Sequence, residues 1–225
     1  MTDLFDILGP TMVGPSSSHT AGAVRIGGMA RTLLGEAPVR AELLLHGSFA
    51  QTGLGHGTDR ALIAGLLGMA TDDLRIPDSF QWAEKAGLDF SFRNVNLGSV
   101  HPNTVVIRAW GASGRQVDMQ AASTGGGRIL VTELGGIAVN FTGDLNTLIV
   151  RNRDDRGQIA DVTGALSDAG VNIAFMSLCR DRRGGRAIMV IEVDQPVPGD
   201  TVEQLRAMDG ILGVTYYEKE GGKVC

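Results

Sequence analysis

The sequence predicts an α+β chain in two parts: a mixed α/β part over residues 1–143 and a βαββαβ part over 146–219, followed by a tail at 220–225. Three observations lead there. Apolar spacing over 146–219 alternates in the order strand, helix, strand, strand, helix, strand. Residues 104–134 hold three β-rich runs separated by Gly-containing turns. All four histidines, His19, His46, His56 and His101, fall in the first 101 residues, so the two parts carry different chemistry.

With 225 residues, 43% of them apolar and 20% charged, the chain has the length for one large or two small domains and the balance of a globular protein with a real core. A net charge of −5, without basic runs interleaved with aromatics, gives no electrostatic reason to bind nucleic acid. No apolar stretch reaches the ~18 residues of a membrane span. The opening MTDLFDILG has neither a basic n-region nor a long apolar h-region, so no membrane association and a cytoplasmic location are expected. Two cysteines, Cys179 and Cys225, cannot build a disulfide framework or a four-thiolate metal site, so no cofactor is expected on this chain alone.

In chain order, residues 13–22 read V-G-P-S-S-S-H-T-A-G, and AVRIGGMARTLLG continues with Val24, Met29 and Leu33 at helical spacing. Ser16, Ser17, Ser18 and Thr20 can cap N–H groups at a helix start, whose positive end favours a carboxylate against the loop. The alternative is an N-cap with more hydroxyls than it needs, in which His19 only packs. RAELLLHGSF reads as a strand. The run 51–68, Q-T-G-L-G-H-G-T-D-R-A-L-I-A-G-L-L-G, turns through Gly53, Gly55 and Gly57 before Thr58 and Asp59 begin a helix. His56 is expected on that bend, where an imidazole titrates near neutral pH with Thr58 or Asp59 to orient it; the plain alternative is a satisfied surface group. S-V-H-P-N-T-V-V-I-R at 99–108 puts His101 and Asn103 at the mouth of a strand stiffened by Pro102. VVIRAW, RQVDMQAAS and RILVTEL then form an antiparallel meander. S-T-G-G-G-R at 123–128 either offers N–H groups to an anion or is a simple hairpin turn. It lacks the Lys and Ser/Thr of a Walker loop, and no G-x-G-x-x-G or G-x-S-x-G occurs in the required setting, which argues against a nucleotide cofactor and a serine hydrolase.

GGIAVNFTGDLN at 135–146 reads as a short linker. TLIVR is a strand, and Ile159, Val162, Leu166 and Ala169 follow at helical spacing until Gly170 stops the helix in the left-handed region. VNIAFMSLCR and RAIMVIEV pair as a hairpin through DRRGG, with Cys179 read as core. Asp200 or Thr201 caps TVEQLRAM, and ILGVTYYE closes the order βαββαβ, which is that of a ferredoxin-like sandwich with its helices on one face of an antiparallel sheet.

On N-R-D-D-R-G-Q-I-A-D-V-T-G-A-L-S-D-A-G-V-N-I, residues 146–219 resemble the ACT domain. That resemblance implies edge-to-edge homodimerisation and an amino-acid effector near the first loop. Asp155, Arg156, Gly157 and Gln158 are then the effector candidates, with a solvated cap of surface ion pairs as the other reading. Together GPSSSHT, HGSFAQTGLGHGTDRA, HPNT and STGGG, in this order and followed by the ACT-like segment, resemble the β subunits of bacterial iron–sulfur-dependent L-serine dehydratases over essentially the whole chain. The resemblance implies a two-chain enzyme that turns L-serine into pyruvate and ammonia, with a [4Fe-4S] cluster on cysteines of the α subunit.

By the same resemblance His19 and His56 serve as acid/base or orienting groups, while Ser16, Ser17, Ser18, Thr20, Thr58, Asp59, His101 and Asn103 position the substrate. Cys225 either brings its thiolate or the chain's carboxylate to the partner's open iron or is an incidental terminal thiol. The related domain in some phosphoglycerate dehydrogenases keeps open a second class, a non-catalytic serine-sensing regulatory module. Two histidines beside hydroxyl-rich loops favour the enzyme.

Overall fold

The computed structural model describes residues 11–219, apart from the side chains of 52–54, and the chain divides into two compact units between Gly135 and Gly136. In the first unit a single π-helical turn, Ser17–Ala21, leads into α1 (Gly22–Leu34), which ends at Gly35 with φ +78°. Strand β1 (Pro38–His46) passes directly into α2 (Gly47–His56) and α3 (Thr58–Leu66). The run 51–56, expected to turn, is therefore helical. Gly57 alone, at φ +69°, makes the break, because the spacing from Gly47 onward lets the backbone close i→i−4 bonds that a single glycine does not prevent.

A segment the periodicity left unread follows: α4 (Ser79–Ala86) and β2 (Asp89–Val95), which pairs parallel to β1 with Leu43 opposite Phe92. Strands β3 (Thr104–Gly111), β4 (Gln116–Gly125) and β5 (Arg128–Leu134) make the expected antiparallel meander. The order in this unit is β2-β1-β3-β4-β5. Helix α1 packs on β3, β4 and β5 and crosses α3 at Gly27 and Gly65. A Cβ on Gly65 would collide with the Val24 carbonyl and stand 2.7 Å from the Gly28 nitrogen. Only paired glycines allow this approach, which buries Ile26, Leu62, Ile63 and Leu66 completely.

The second unit opens with β6 (Ile137–Phe141) inside the stretch read as a linker. Its alternating Ile137, Val139 and Phe141 are buried, and the strand packs on β8 and β9 described next. Then come β7 (Asn146–Arg153), α5 (Gln158–Asp168), β8 (Ile173–Arg180), β9 (Arg186–Val193), α6 (Gly199–Ala207) and β10 (Ile211–Tyr217). All pairs in the sheet β10-β7-β9-β8 are antiparallel. Leu148, Val150, Met189, Ile191 and Val214 from the strands meet Val162, Leu166, Val202 and Leu205 from the helices in one core, each worth about 1.5–3 kcal/mol on burial.

Two expectations change here. Neither Asp200 nor Thr201 caps α6: the helix starts at Gly199, two residues before TVEQLRAM, after Pro198 and with no side-chain cap, and Thr201 is buried within it. Cys179 is half-buried rather than core, because β8 is an edge strand whose outer side faces away from the helices. The terminal residue Cys225 lies outside the described residues.

Candidate active site

The C-terminal end of β1 and the first turn of α2 bring the histidine-bearing loops together. Ser16 caps the π turn, its Oγ accepting the His19 backbone N–H at 3.1 Å. Gly14, at φ +135°, admits the Thr20 side chain where a Cβ would stand 2.6 Å from it. The His19 ring lies between two hydroxyls: Nε2 is 3.1 Å from Ser48 Oγ and Nδ1 is 3.5 Å from Ser16 Oγ. Phe49 meets it edge-on at 5.4 Å, and the His56 ring is tilted against it at 5.1 Å. Burial first, and the neighbouring His56 second, hold the His19 imidazole below its ordinary pKa of 6.5. Near neutral pH His19 is therefore uncharged, the state in which an imidazole takes up a proton.

The other motifs close around this pair. The Ser48 N–H donates to the Pro102 carbonyl at 2.8 Å, and Gly47, at φ +56°, would place a Cβ 2.5 Å from that oxygen. His101 Nδ1 accepts the Asn103 N–H at 3.1 Å, and the Thr104 hydroxyl donates to the His101 carbonyl at 2.6 Å, forming a compact turn. Asn103 and Ser123 are joined by Ser123 N–H to the Asn103 carbonyl at 3.0 Å, while Asn103 Nδ2 reaches the Ser123 carbonyl at 3.5 Å. The Ser123 side chain is fully buried against Gly22, and its hydroxyl makes no hydrogen bond. Gly125, Gly126 and Gly127 all have positive φ, and Arg25 Nη1 donates to the Gly127 carbonyl at 3.2 Å. Segments 14–22, 47–56, 101–104 and 123–127, read separately in the sequence, thus form one site.

His56 is the last residue of α2, its carbonyl 3.5 Å from the Thr20 hydroxyl. The Thr58 hydroxyl is buried without a hydrogen bond, and Asp59 Oδ1 accepts the Arg60 N–H at 2.8 Å. His46 Nδ1 accepts the Leu97 N–H at 3.1 Å, tying β1 to the chain after β2. The residues that motif reading passed over are Ser48, Phe49 and the Ser123 side chain. Ser48 carried one usable signal, a hydroxyl directly after the glycine that follows a strand.

In the second unit Gly157, at φ +93°, starts α5 without a side-chain cap. Gln158 is buried and donates through Nε2 to the Asp209 carbonyl at 3.0 Å. Asp155 and Arg156 are exposed, and Arg153 stands 3.7 Å from Asp155 and 2.7 Å from Asp209. Arg156 and Gln158 line an open groove along α5 and α6 with Asp161, Gly164 and Gln204.

Among the described residues no three His, Cys, Asp or Glu side chains converge to hold a metal, and no helix is long and apolar enough to cross a membrane. The serine dehydratase beta chain family matches residues 1–87 and the ACT domain family residues 146–210. The probable L-serine dehydratase, beta chain, of Bacillus subtilis (strain 168) is 42% identical over 212 residues, 94% of this chain and 96% of that protein. The L-serine dehydratase, beta chain, of Peptoniphilus asaccharolyticus is 39% identical over 220 residues, covering 96% of each. The L-serine dehydratase of Helicobacter pylori (strain ATCC 700392 / 26695) is 30% identical over 142 residues, which are 54% of this chain and 31% of that protein. Identity of this extent, running through the histidine site and the C-terminal sheet alike, means that the chain belongs to the serine dehydratase beta chain family and carries an ACT domain.

Proposed function

We propose that this chain is the β subunit of a cytoplasmic two-chain L-serine dehydratase and lends a base and a carboxylate-holding loop to a site shared with an α subunit. The observation that carries the reading is the uncharged His19, held between two serine hydroxyls beside His56 at the start of α1. Loss of water from L-serine breaks the Cα–H and Cβ–O bonds and leaves aminoacrylate, which tautomerises to an imine and is hydrolysed to pyruvate and ammonia. Ser16–Ser18 and Thr20, at the positive end of the first helix, suit the carboxylate, and the neighbouring Thr58, Asp59, His101 and Asn103 complete the substrate-positioning set. The Cα proton passes to the His19 imidazole, which burial first and His56 second favour in its neutral form beforehand.

Departing hydroxide needs a Lewis acid, which a [4Fe-4S] cluster supplies when bound. The described donors of this chain do not fit one: His19 and His56 have no third ligand beside them, and Cys179 stands on β8 of the second unit. The cluster then belongs to cysteines of the partner. The role of Cys225 toward that iron is tested by deleting Val224 and Cys225 and following oxygen sensitivity. The ACT domain serves regulation and self-pairing: exposed Phe175 and Leu178 lie on the β8 edge, and residues 155–158 take an effector at the start of α5.

The test is anaerobic purification of the tagged chain from its native cell with an assay of pyruvate from L-serine. A brown complex that turns over, and that loses at least about a hundredfold in kcat with His19→Ala and His56→Ala together, is expected. A colourless, inactive chain that binds serine would replace the enzyme reading with the sensor.

A further inference from the structure

We propose that Ser48 is a positioning residue of the reaction, holding the His19 imidazole by Nε2 and transmitting to it the rigidity of the His101–Thr104 turn. This inference rests on the reading of His19 as the base and extends it to a residue that touches His19 rather than substrate.

The support runs in one direction through the molecule. The turn is closed on itself by Asn103 N–H to His101 Nδ1 at 3.1 Å and by the Thr104 hydroxyl to the His101 carbonyl at 2.6 Å. It is tied to β4 by the Ser123 N–H on the Asn103 carbonyl at 3.0 Å. From this braced turn the Pro102 carbonyl takes the Ser48 N–H at 2.8 Å, and the contact is so close that residue 47 must lack a side chain and adopt φ +56°. The Ser48 backbone is therefore fixed before its side chain does anything.

Its hydroxyl is 3.1 Å from His19 Nε2, whereas the Ser16 hydroxyl is 3.5 Å from Nδ1 and already accepts the His19 backbone N–H. Ser48 thus makes the shorter hydrogen bond to the ring, and Phe49, the next residue, buttresses the same ring edge-on. In the tautomer with the proton on Nε2, the Ser48 hydroxyl oxygen accepts from that N–H and Nδ1, only loosely approached by Ser16 at 3.5 Å, keeps the lone pair that takes the Cα proton. Because the bond from the imidazolium is charge-assisted and stronger, Ser48 favours the protonated ring over the neutral one. Of the titratable groups around the ring, His56 on α2 faces it and works in the opposite sense, while Asp59 on α3 is engaged with the Arg60 N–H.

The experiment uses the two-chain complex purified anaerobically. Ser48→Ala should lower kcat by about tenfold to a hundredfold, with KM for L-serine changed less than about threefold. The acid limb of the kcat profile should move down by about half a pH unit, as expected on losing a bond stronger to the imidazolium. Ser48→Thr, which keeps the hydroxyl, should recover most of the rate and return the limb. Ser48→Ala within about twofold of wild type, or Ser48→Thr no better than Ser48→Ala with both variants assembled and thermally intact, would overturn the assignment. Full turnover by His19→Ala would instead remove the reading of His19 beneath it.

Discussion

Replacing Gly65 by alanine tests whether the histidine site stands on the crossing of α1 and α3. The new Cβ would collide with the Val24 carbonyl and lie 2.7 Å from the Gly28 nitrogen and 2.9 Å from the Gly27 Cα, all backbone atoms with no rotamer to change. Restoring an ordinary 3.4 Å contact takes about 0.7 Å at the Gly28 nitrogen and more at the Val24 carbonyl, so the helices must part and loosen fully buried Ile26, Leu62 and Leu66. Overpacking costs about 1–3 kcal/mol, and against three backbone atoms the upper part of that range, about 2–3, applies, while the helix propensity gained on Gly→Ala returns about 1. The net expectation is a loss of about 1–2 kcal/mol.

Gly28, also in α1, has nothing within 4 Å of its would-be Cβ, so Gly28→Ala should instead stabilise by up to about 1 kcal/mol. Both tryptophans, Trp82 and Trp110, belong to the first unit, so urea unfolding of the full chain followed by tryptophan fluorescence reads that unit alone. With m near 2 kcal/mol/M, the Gly65→Ala midpoint should fall by about 0.5–1 M while that of Gly28→Ala rises. Equal shifts for the two variants, or no shift for Gly65→Ala, would refute the close-crossing argument.

The same fluorescence transition should depend on pH through His19. Burial, then His56, lower its folded pKa, so the unfolded chain binds more protons below pH 6.5; the contribution is intact above 6.5 and is lost as pH falls through the lowered value, a dependence that His19→Gln should flatten. In the second unit, burial and then Asp144 raise the pKa of Glu192, so its stabilisation is complete below the ordinary 4.5 and is lost as pH rises through the raised value. Glu192→Gln should therefore raise the melting temperature at pH 7, by at most about 0.5 kcal/mol in stability after solvent screening, and leave it unchanged at pH 4, as far-UV circular dichroism would read.

The second unit was legible because each element carries its own punctuation. Gly157 and Gly170 sit at φ +93° and +70° at either end of α5, β10 keeps a period-two burial, and β9, buried throughout residues 187–191, reads as a continuous apolar run. What stayed hidden there depends on neighbours: Cys179 looks like core in an apolar run, and only the edge position of β8 exposes its surroundings. In the first unit α4 and β2 escaped because β2 pairs parallel to β1, a partner 49 residues away at Arg40 and Asp89, and no turn announces such a pairing. The helical course of 47–56 was masked by its glycines, whose freedom is used at Gly57 alone within the run 51–57. Motif reading found both histidines but not Ser48, since a hydrogen bond between residues 19 and 48 leaves no periodic trace in either segment.

The site's hydrogen bonds argue that this end of the first unit is shaped for something beyond its own stability. Ser16 to the His19 ring, Thr20 to the His56 carbonyl and Asn103 to the Ser123 carbonyl are all 3.5 Å, at the long limit for such bonds. The buried Ser123 and Thr58 hydroxyls have no partner, each at a cost of about 1–3 kcal/mol. In the second unit the buried Tyr216 hydroxyl accepts the Val197 N–H at 3.1 Å and Gln158 is held at 3.0 Å, while Asn152 Oδ1 and Ser177 Oγ are buried without a hydrogen bond at separate places. What marks the first unit is therefore not an unpaired hydroxyl as such but two of them gathered with three long bonds around two adjacent imidazoles. Long bonds that tighten when substrate arrives are what a base and its support require before the reaction begins.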